Sequence, residues 1–259
     1  MRAGDIIAAI EEFAPLHIQE EWDNSGLQLG SPSQEVHGVL IGLDCTVSLI
    51  EEAVRRGCDF VLTHHPLLFN PLRRIDPEDV TGAAVIAAVR NGIAVYAAHT
   101  TADKVPGGVS ALMAGRLGLR NVRVLEEEAP GVGLGAVGDL PEALSAEEAL
   151  AKVKEAFGLR MIRSSRPCSC PVKRVALCGG SGSSCIPSAI GAGAQLYLSG
   201  DISYHHFFVP DGFMIADIGH FEGEVEIVEV FHSILRKKFP NFASLISEDI
   251  SKGNPVNYL

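Results

Sequence analysis

Apolar positions along the chain alternate between helical spacing and short continuous runs. From Asp5 to Phe13, Ile6, Ile7, Ile10 and Phe13 share one helical face, and Pro15 ends the pattern. Val36 to Leu43 reads as a buried strand. Val47 to Arg56 returns to helical spacing, with Gly57 as a C-terminal cap. Asp59 to Thr63 predicts a second strand. Asp79 to Asn91 predicts a helix with Val85, Ile86 and Val89 inward and Gly92 as its cap. Ile93 to Ala98 predicts a third strand, and Val109 to Leu117 a helix ending at Gly118. Strands alternating with helices point to an α/β fold built on a mainly parallel sheet with crossover helices.

The second half repeats the theme after an acidic, turn-rich stretch from Glu126 to Pro130. Val132 to Val137 predicts a strand. Ser145 opens a helix, with Glu148 completing a capping box and Gly158 closing it. Strands follow at Val172 to Cys178, Gln195 to Ser199 and Phe213 to Ile218. A long helix is expected from about Glu222 to Phe239, acidic in its first turn and carrying Arg236, Lys237 and Lys238 in its last. Val39 to His65 aligns without a gap on Val175 to Asp201, so Gly57 faces Gly193 and Phe60 faces Leu196. The halves therefore predict two similar lobes and a possible internal duplication. The expected domains are 1–126, with 222–259 packing back on it, and 127–221.

Composition narrows the class. The 259 residues are 47% hydrophobic and 20% charged, enough apolar content for a sizeable core. A net charge of −11 argues against a general nucleic-acid scaffold. The acid-free stretch with Arg160, Arg163, Arg166, Lys173 and Arg174 is read as a solvated face, with phosphate or nucleic-acid contact as its alternative. Six cysteines are too few for a disulfide scaffold, and Cys168-Ser169-Cys170 does not fit zinc spacing, so free thiols are expected. Asp5, Glu11 and Glu12 interrupt any signal peptide, and no apolar run has the length of a membrane span. These features predict a cytoplasmic protein with no membrane partner.

The polar residues fall at the predicted carboxyl ends of strands, where α/β sheets gather ligands. His64 and His65 follow the second strand, and His99 and Asp103 the third. His220 and Glu224 follow a strand of the second half, with Glu222 and Glu226 as nearby competitors. His64, His65, Asp103, His220 and Glu224 offer three nitrogen and two carboxylate ligands, a set suited to Zn, Mn or Fe and too nitrogen-rich for Ca or Mg. His99 is a candidate catalytic group, as a proton carrier or a support behind the ligands. The glycine-rich loop Gly179 to Ser184 is read as a tight strand-to-helix turn, with phosphate binding as the alternative. Trp22, the single tryptophan, is read as a packing anchor, with Asn24 beside it as a cleft residue.

The segments Glu21 to Gln28, Gly42-Leu43-Asp44, Thr63 to Phe69, His99 to Asp103, Gly107-Gly108-Val109, Cys178 to Gly182, Gly200-Asp201 and Gly219 to Glu224 resemble the NIF-three-like family, also known as type-two GTP cyclohydrolase I homologues. The resemblance covers nearly the whole chain in order. It implies two intertwined α/β lobes, a toroidal homohexamer and a dinuclear metal centre held by His64, His65, Asp103, His220 and Glu224, favouring Glu224 over Glu222. Thr101 and Ala102 depart from the family's usual Asn and Leu, and Ser110 stands where Asn is common. The implied activity is that of a dinuclear divalent-metal-dependent hydrolase acting on a nucleotide-like small molecule. A metal-dependent phosphoesterase and a hexameric metal-binding or interaction scaffold without turnover are the alternatives.

Overall fold

The structure, a computed structural model, describes residues 1–248, 250 and 253–257. The chain divides into two compact units, one of Met1–Ala102 with Ile227–Pro255 and one built on Asp103–Glu226. In chain order the first unit contains α1 (Ala3–Glu11), β1 (Gly26–Leu29), β2 (Gly38–Gly42), α2 (Val47–Arg55), β3 (Phe60–Thr63), α3 (Val80–Arg90) and β4 (Ala94–Ala97), and α4 (Thr100–Asp103) follows. The second unit contains α5 (Val109–Arg116), β5 (Arg120–Ala129), β6 (Val132–Leu144), α6 (Ala146–Ala156), β7 (Arg163–Ser164), β8 (Val172–Leu177), α7 (Ile186–Gly191), β9 (Leu196–Ser199), β10 (Met214–Asp217) and α8 (His220–Glu224). The chain then returns to the first unit as α9 (Ile227–Lys238) and β11 (Ala243–Ile246).

The first sheet runs β1-β4-β3-β2-β11, parallel throughout except for the antiparallel edge strand β1. Alternation along the strands sends Leu40, Val61 and Val95 to a core shared with Leu49, Ile50 and Ala53 of α2 and Val85 and Ala88 of α3. The intervening residues Ile41, Phe60, Leu62 and Tyr96 are also buried, as are Ile6 and Ile10 of α1 and Phe231 and Leu235 of α9. A strand covered on both faces carries a continuous apolar run, which is why β2 and β3 are legible in the sequence. Helix starts follow their caps: Thr46 Oγ1 accepts from Leu49 N at 3.2 Å and Asp79 Oδ2 from Gly82 N at 2.9 Å.

The second sheet runs β5-β6-β8-β9-β10-β7. Its centre, β8-β9-β10, is parallel, and its flanks are antiparallel. The capping box of α6 forms, with Ser145 N donating to Glu148 Oε2 at 2.8 Å and Glu148 N to Ser145 Oγ at 3.2 Å. The two sheets support the duplication. Val39 pairs with Phe60 in β2 and β3 as Val175 pairs with Leu196 in β8 and β9, the same register 136 residues apart. Gly57 and Gly193 both take positive φ, at 69° and 72°, to end the intervening helix.

Several elements differ from the pattern-based expectation. Glu126 to Ala129 are the end of β5, an edge strand whose charges face solvent and therefore hide its period. The strands β1, β7 and β11 are short edge elements without a distinctive run. The expected long C-terminal helix is two helices broken at Val225 and Glu226, because apolar spacing carries on through the break. In α3 the buried face is Gly82, Ala84, Val85 and Ala88, while Val89 is exposed. That helix packs by its small residues: a Cβ at Gly82 would sit 2.1 Å from Asp76 O. No helix among the described residues is long and apolar enough to cross a membrane.

Candidate metal centre

In the first unit β3 ends in a turn, with Thr63 Oγ1 donating to the His65 carbonyl at 2.8 Å. The turn cancels the up-down alternation of a strand and brings neighbouring imidazoles to one place. The rings of His64 and His65 lie 4.9 Å apart, and His99, just beyond β4, lies 5.3 and 5.5 Å from them. One nitrogen from each of the three falls within 4.8 Å of the others.

Each ring is oriented by an oxygen at Nδ1. His64 Nδ1 lies 2.9 Å from Ala98 O, His65 Nδ1 2.8 Å from Asp44 Oδ1 and His99 Nδ1 2.7 Å from Asp23 Oδ1. Carbonyl and carboxylate oxygens only accept, so these contacts assign the ring proton to Nδ1 and make Nε2 the ligand nitrogen. Support of this kind accompanies metal-binding histidines. Asp23 is buried. Burial pushes its carboxyl up, but hydrogen bonds from His99 and from Thr100, the charge of His99, and a bond from Ser25 hold it well below the usual carboxylate range.

In the second unit, the same logic recurs. His220 Nδ1 lies 2.8 Å from Asp201 Oδ2, and its Nε2 is 3.0 Å from Oε2 of the buried Glu224, one helical turn later on α8. Two glycines make this possible. A Cβ at Gly200 would sit 2.6 Å from His220 N, and one at Gly180 would sit 2.2 Å from Glu224 Oε1. Asp103 ends α4. Its charge and that of Glu224 both reach Cys178, whose thiol is raised well above its ordinary range, first by its hydrogen bond with Cys185 and by burial, and further by these carboxylates.

Thus His64, His65 and His99 come together in the first unit, and His220 and Glu224 meet in the second, where Asp103 and Glu224 both act on Cys178. Nitrogen and carboxylate donors, with rings locked as Nε2 ligands and a backbone cradle shaped to one carboxylate, fit a transition-type divalent ion. Glu222 is only half-buried, and Glu224 is the residue the glycine loop accommodates. Asp23, Asp44 and Asp201 are ring-holding carboxylates that spacing did not single out. Each lies within a family segment, at Trp22-Asp23-Asn24, Gly42-Leu43-Asp44 and Gly200-Asp201, but only the folded chain shows which ring each one holds.

The remaining features resolve more simply. In the loop after β8, Gly182 N donates to Ser199 Oγ at 2.8 Å, and Tyr197 donates its hydroxyl to Gly182 O at 2.6 Å, so it is a tight turn fitted to Glu224. Within the basic stretch Arg163 pairs with Asp217 at 2.9 Å and Arg174 with Asp139 at 3.0 Å. All six cysteines are free. Trp22 is not a packing anchor: it is 59% exposed, with edge contacts to Phe69 and His99.

The fold and these donor groups define a two-sheet α/β protein with histidine and carboxylate clusters able to hold a metal. Residues 1–252 match the family described as Duf34/NIF3 (NGG1p interacting factor 3), and the chain belongs to that family. It is 35% identical over 231 residues to a GTP cyclohydrolase 1 type 2 homolog of Clostridium perfringens, covering 86% of this chain and 87% of that one. It is 34% identical over 262 residues to the protein of the same name from Lactococcus lactis, covering 98% of each. In fold, it is similar to the Staphylococcus aureus hypothetical protein SA1388, with a TM-score of 0.92 and 24% identity over 100% of this chain and 99% of that one.

Proposed function

We propose that this chain is a divalent-metal-dependent hydrolase resembling the type-two GTP cyclohydrolase I homologues, with His64, His65, Asp103, His220 and Glu224 holding two ions of Zn, Mn or Fe. The observation that carries this reading is the shared Nδ1 contact: an oxygen holds each of His64, His65 and His220 at Nδ1, and Nε2 of His220 meets the Glu224 carboxylate at 3.0 Å. Two ions, when bound, supply the Lewis acidity that lowers the pKa of a water to near neutrality. The residues of the chain do the rest. Asp44, Asp201 and the Ala98 carbonyl hold the ring protons away from the ligand nitrogens. Asp23 holds the proton at His99 Nδ1, so Nε2 of His99 is the group that takes or returns a proton beside His64 and His65.

The names of the curated relatives support a nucleotide-like substrate for this chain, and the family resemblance supports a homohexamer. Six free thiols support a reducing, cytoplasmic setting. Protein reconstituted with Zn, Mn or Fe is to be screened for turnover of nucleotides and phosphoesters, with elemental analysis of the same sample. The expected result is about two ions per chain and a turnover abolished in Asp103→Ala. Full metal loading without turnover of any of these compounds replaces this reading with that of a metal-binding scaffold.

A further inference from the structure

Beside the three histidines of the first unit lies an open cleft of about 760 Å³, whose lining includes Trp22, Asn24, Phe69, Leu72, Arg73 and Arg74. That volume is in the range of small-molecule sites. Trp22 and Phe69 are 59% and 45% exposed, an uncommon fate for large aromatic side chains. Their ring centroids are 6.0 Å apart at 63°, and they lie 6.0 and 5.9 Å from the His99 ring. The exposed rings therefore form a corner whose closed side is the histidine cluster. Asn24, also in the lining, is pinned by its Nδ2 donating to Leu68 O at 2.7 Å.

The charge is placed to match. In a chain of net charge −11, two adjacent arginines stand at this cleft. Arg73 makes no ion pair among the described residues, and Arg74 has only Asp76 at 3.6 Å. The one carboxylate of the lining, Asp23, has a buried side chain turned to His99, Thr100 and Ser25. The cleft thus presents aromatic faces and guanidinium donors without an opposing carboxylate on the aromatic side.

We propose that this cleft binds a small planar aromatic ring bearing a phosphate-type group, with the ring against Trp22 and Phe69 and the anion on Arg73 and Arg74. Guanidinium forks suit phosphate oxygens, and an aromatic corner suits a flat ring. The ligand's ring end then lies next to His99. In naming the ligand class of the metal centre the inference rests on the hydrolase reading. As a binding site it stands on the cleft alone.

Trp22 is the single tryptophan, so its emission reports directly on the cleft. The probes are phenylphosphonate, which cannot be hydrolysed as an ester, methylphosphonate, which lacks the ring, and benzyl alcohol, which lacks the charge. Each is titrated against the full chain before and after chelation. Phenylphosphonate is expected to change Trp22 emission saturably in both samples, at lower concentration than either partial probe. Arg73→Ala with Arg74→Ala should weaken it about tenfold or more. Phe69→Ala should weaken phenylphosphonate and leave methylphosphonate unchanged. All four side chains are exposed, so the variants are expected to fold, as far-UV circular dichroism will show. Equal affinity for methylphosphonate and phenylphosphonate overturns the ring platform. A response that vanishes on chelation and ignores the arginine substitutions overturns the cleft and leaves the metal centre standing. No response in either sample also overturns the cleft. A saturable response in protein that takes up no metal supports the cleft and removes the hydrolase reading instead.

Discussion

Gly180 lies so close to Glu224 that a single added carbon would sit 2.2 Å from its Oε1. The glycine has φ of 58°, a conformation that L side chains rarely adopt. A loop that by sequence could have held a phosphate is thus occupied by a carboxylate of its own chain. Fold and donor group are specified by the same residue.

Gly180→Ala is therefore expected to act twice. The left-handed backbone costs about 1–2 kcal/mol of stability, and the displaced Glu224 carboxylate lowers divalent-metal affinity. Thermal unfolding in chelator reads the first effect and a metal titration reads the second. Unchanged metal affinity in a folded variant removes Glu224 from the centre.

The ligand position itself is tested by Glu224→Gln against Glu222→Gln. The first keeps the shape of the side chain and weakens the donor, so metal affinity should fall while stability in chelator barely changes. The second should alter neither. Metal loss in Glu222→Gln alone shifts the assignment by two residues.

Asp44→Asn and Asp201→Asn test the rings from behind. Each removes the carboxylate that locks a histidine at Nδ1, at 2.8 Å in both cases. Metal affinity is expected to fall about 10–100-fold, with little change in the fold of the chelated protein. Competition against a metal-sensitive dye measures it.

Phe231, fully buried in α9, separates core from site. Phe231→Ala should cost about 3–5 kcal/mol in urea unfolding and leave the metal stoichiometry of the folded protein unchanged.

Acid stability should depend on Asp23. Its carboxyl is held below the ordinary range in the folded chain, so its contribution is complete above about pH 4 and is lost as pH falls toward the folded value. In chelator, the melting temperature of the wild type should drop below pH 4 more steeply than that of Asp23→Asn, which starts lower at pH 7. Parallel acid profiles would mean that the carboxylate is not ionised against His99.

Much of the architecture is written in the one-dimensional pattern. β2, β3, β4, β9 and β10 are buried on both faces, as are Val175, Ala176 and Leu177 of β8, and each strand appears as a largely apolar run. α2 and α6 carry their caps in Thr46 and Ser145. The histidines at the ends of β3 and β4 are legible because a parallel sheet places strand ends at one edge. Edge strands are not legible in this way: β5 spends its side chains on solvent, and β1 and β11 are four residues each with no run of their own.

The sequence by itself supplied the candidate donor groups, because imidazole and carboxylate chemistry belongs to His64, His65, Asp103, His220 and Glu224 wherever they lie. Only the tertiary structure decided their orientation. Asp23 is 76 residues from His99, Asp44 is 21 from His65, and Asp201 is 19 from His220. No local period relates such pairs, because each contact is set by how separate elements pack. The same holds for Trp22, whose apolar ring predicts burial, and which packing instead leaves at the mouth of a cleft.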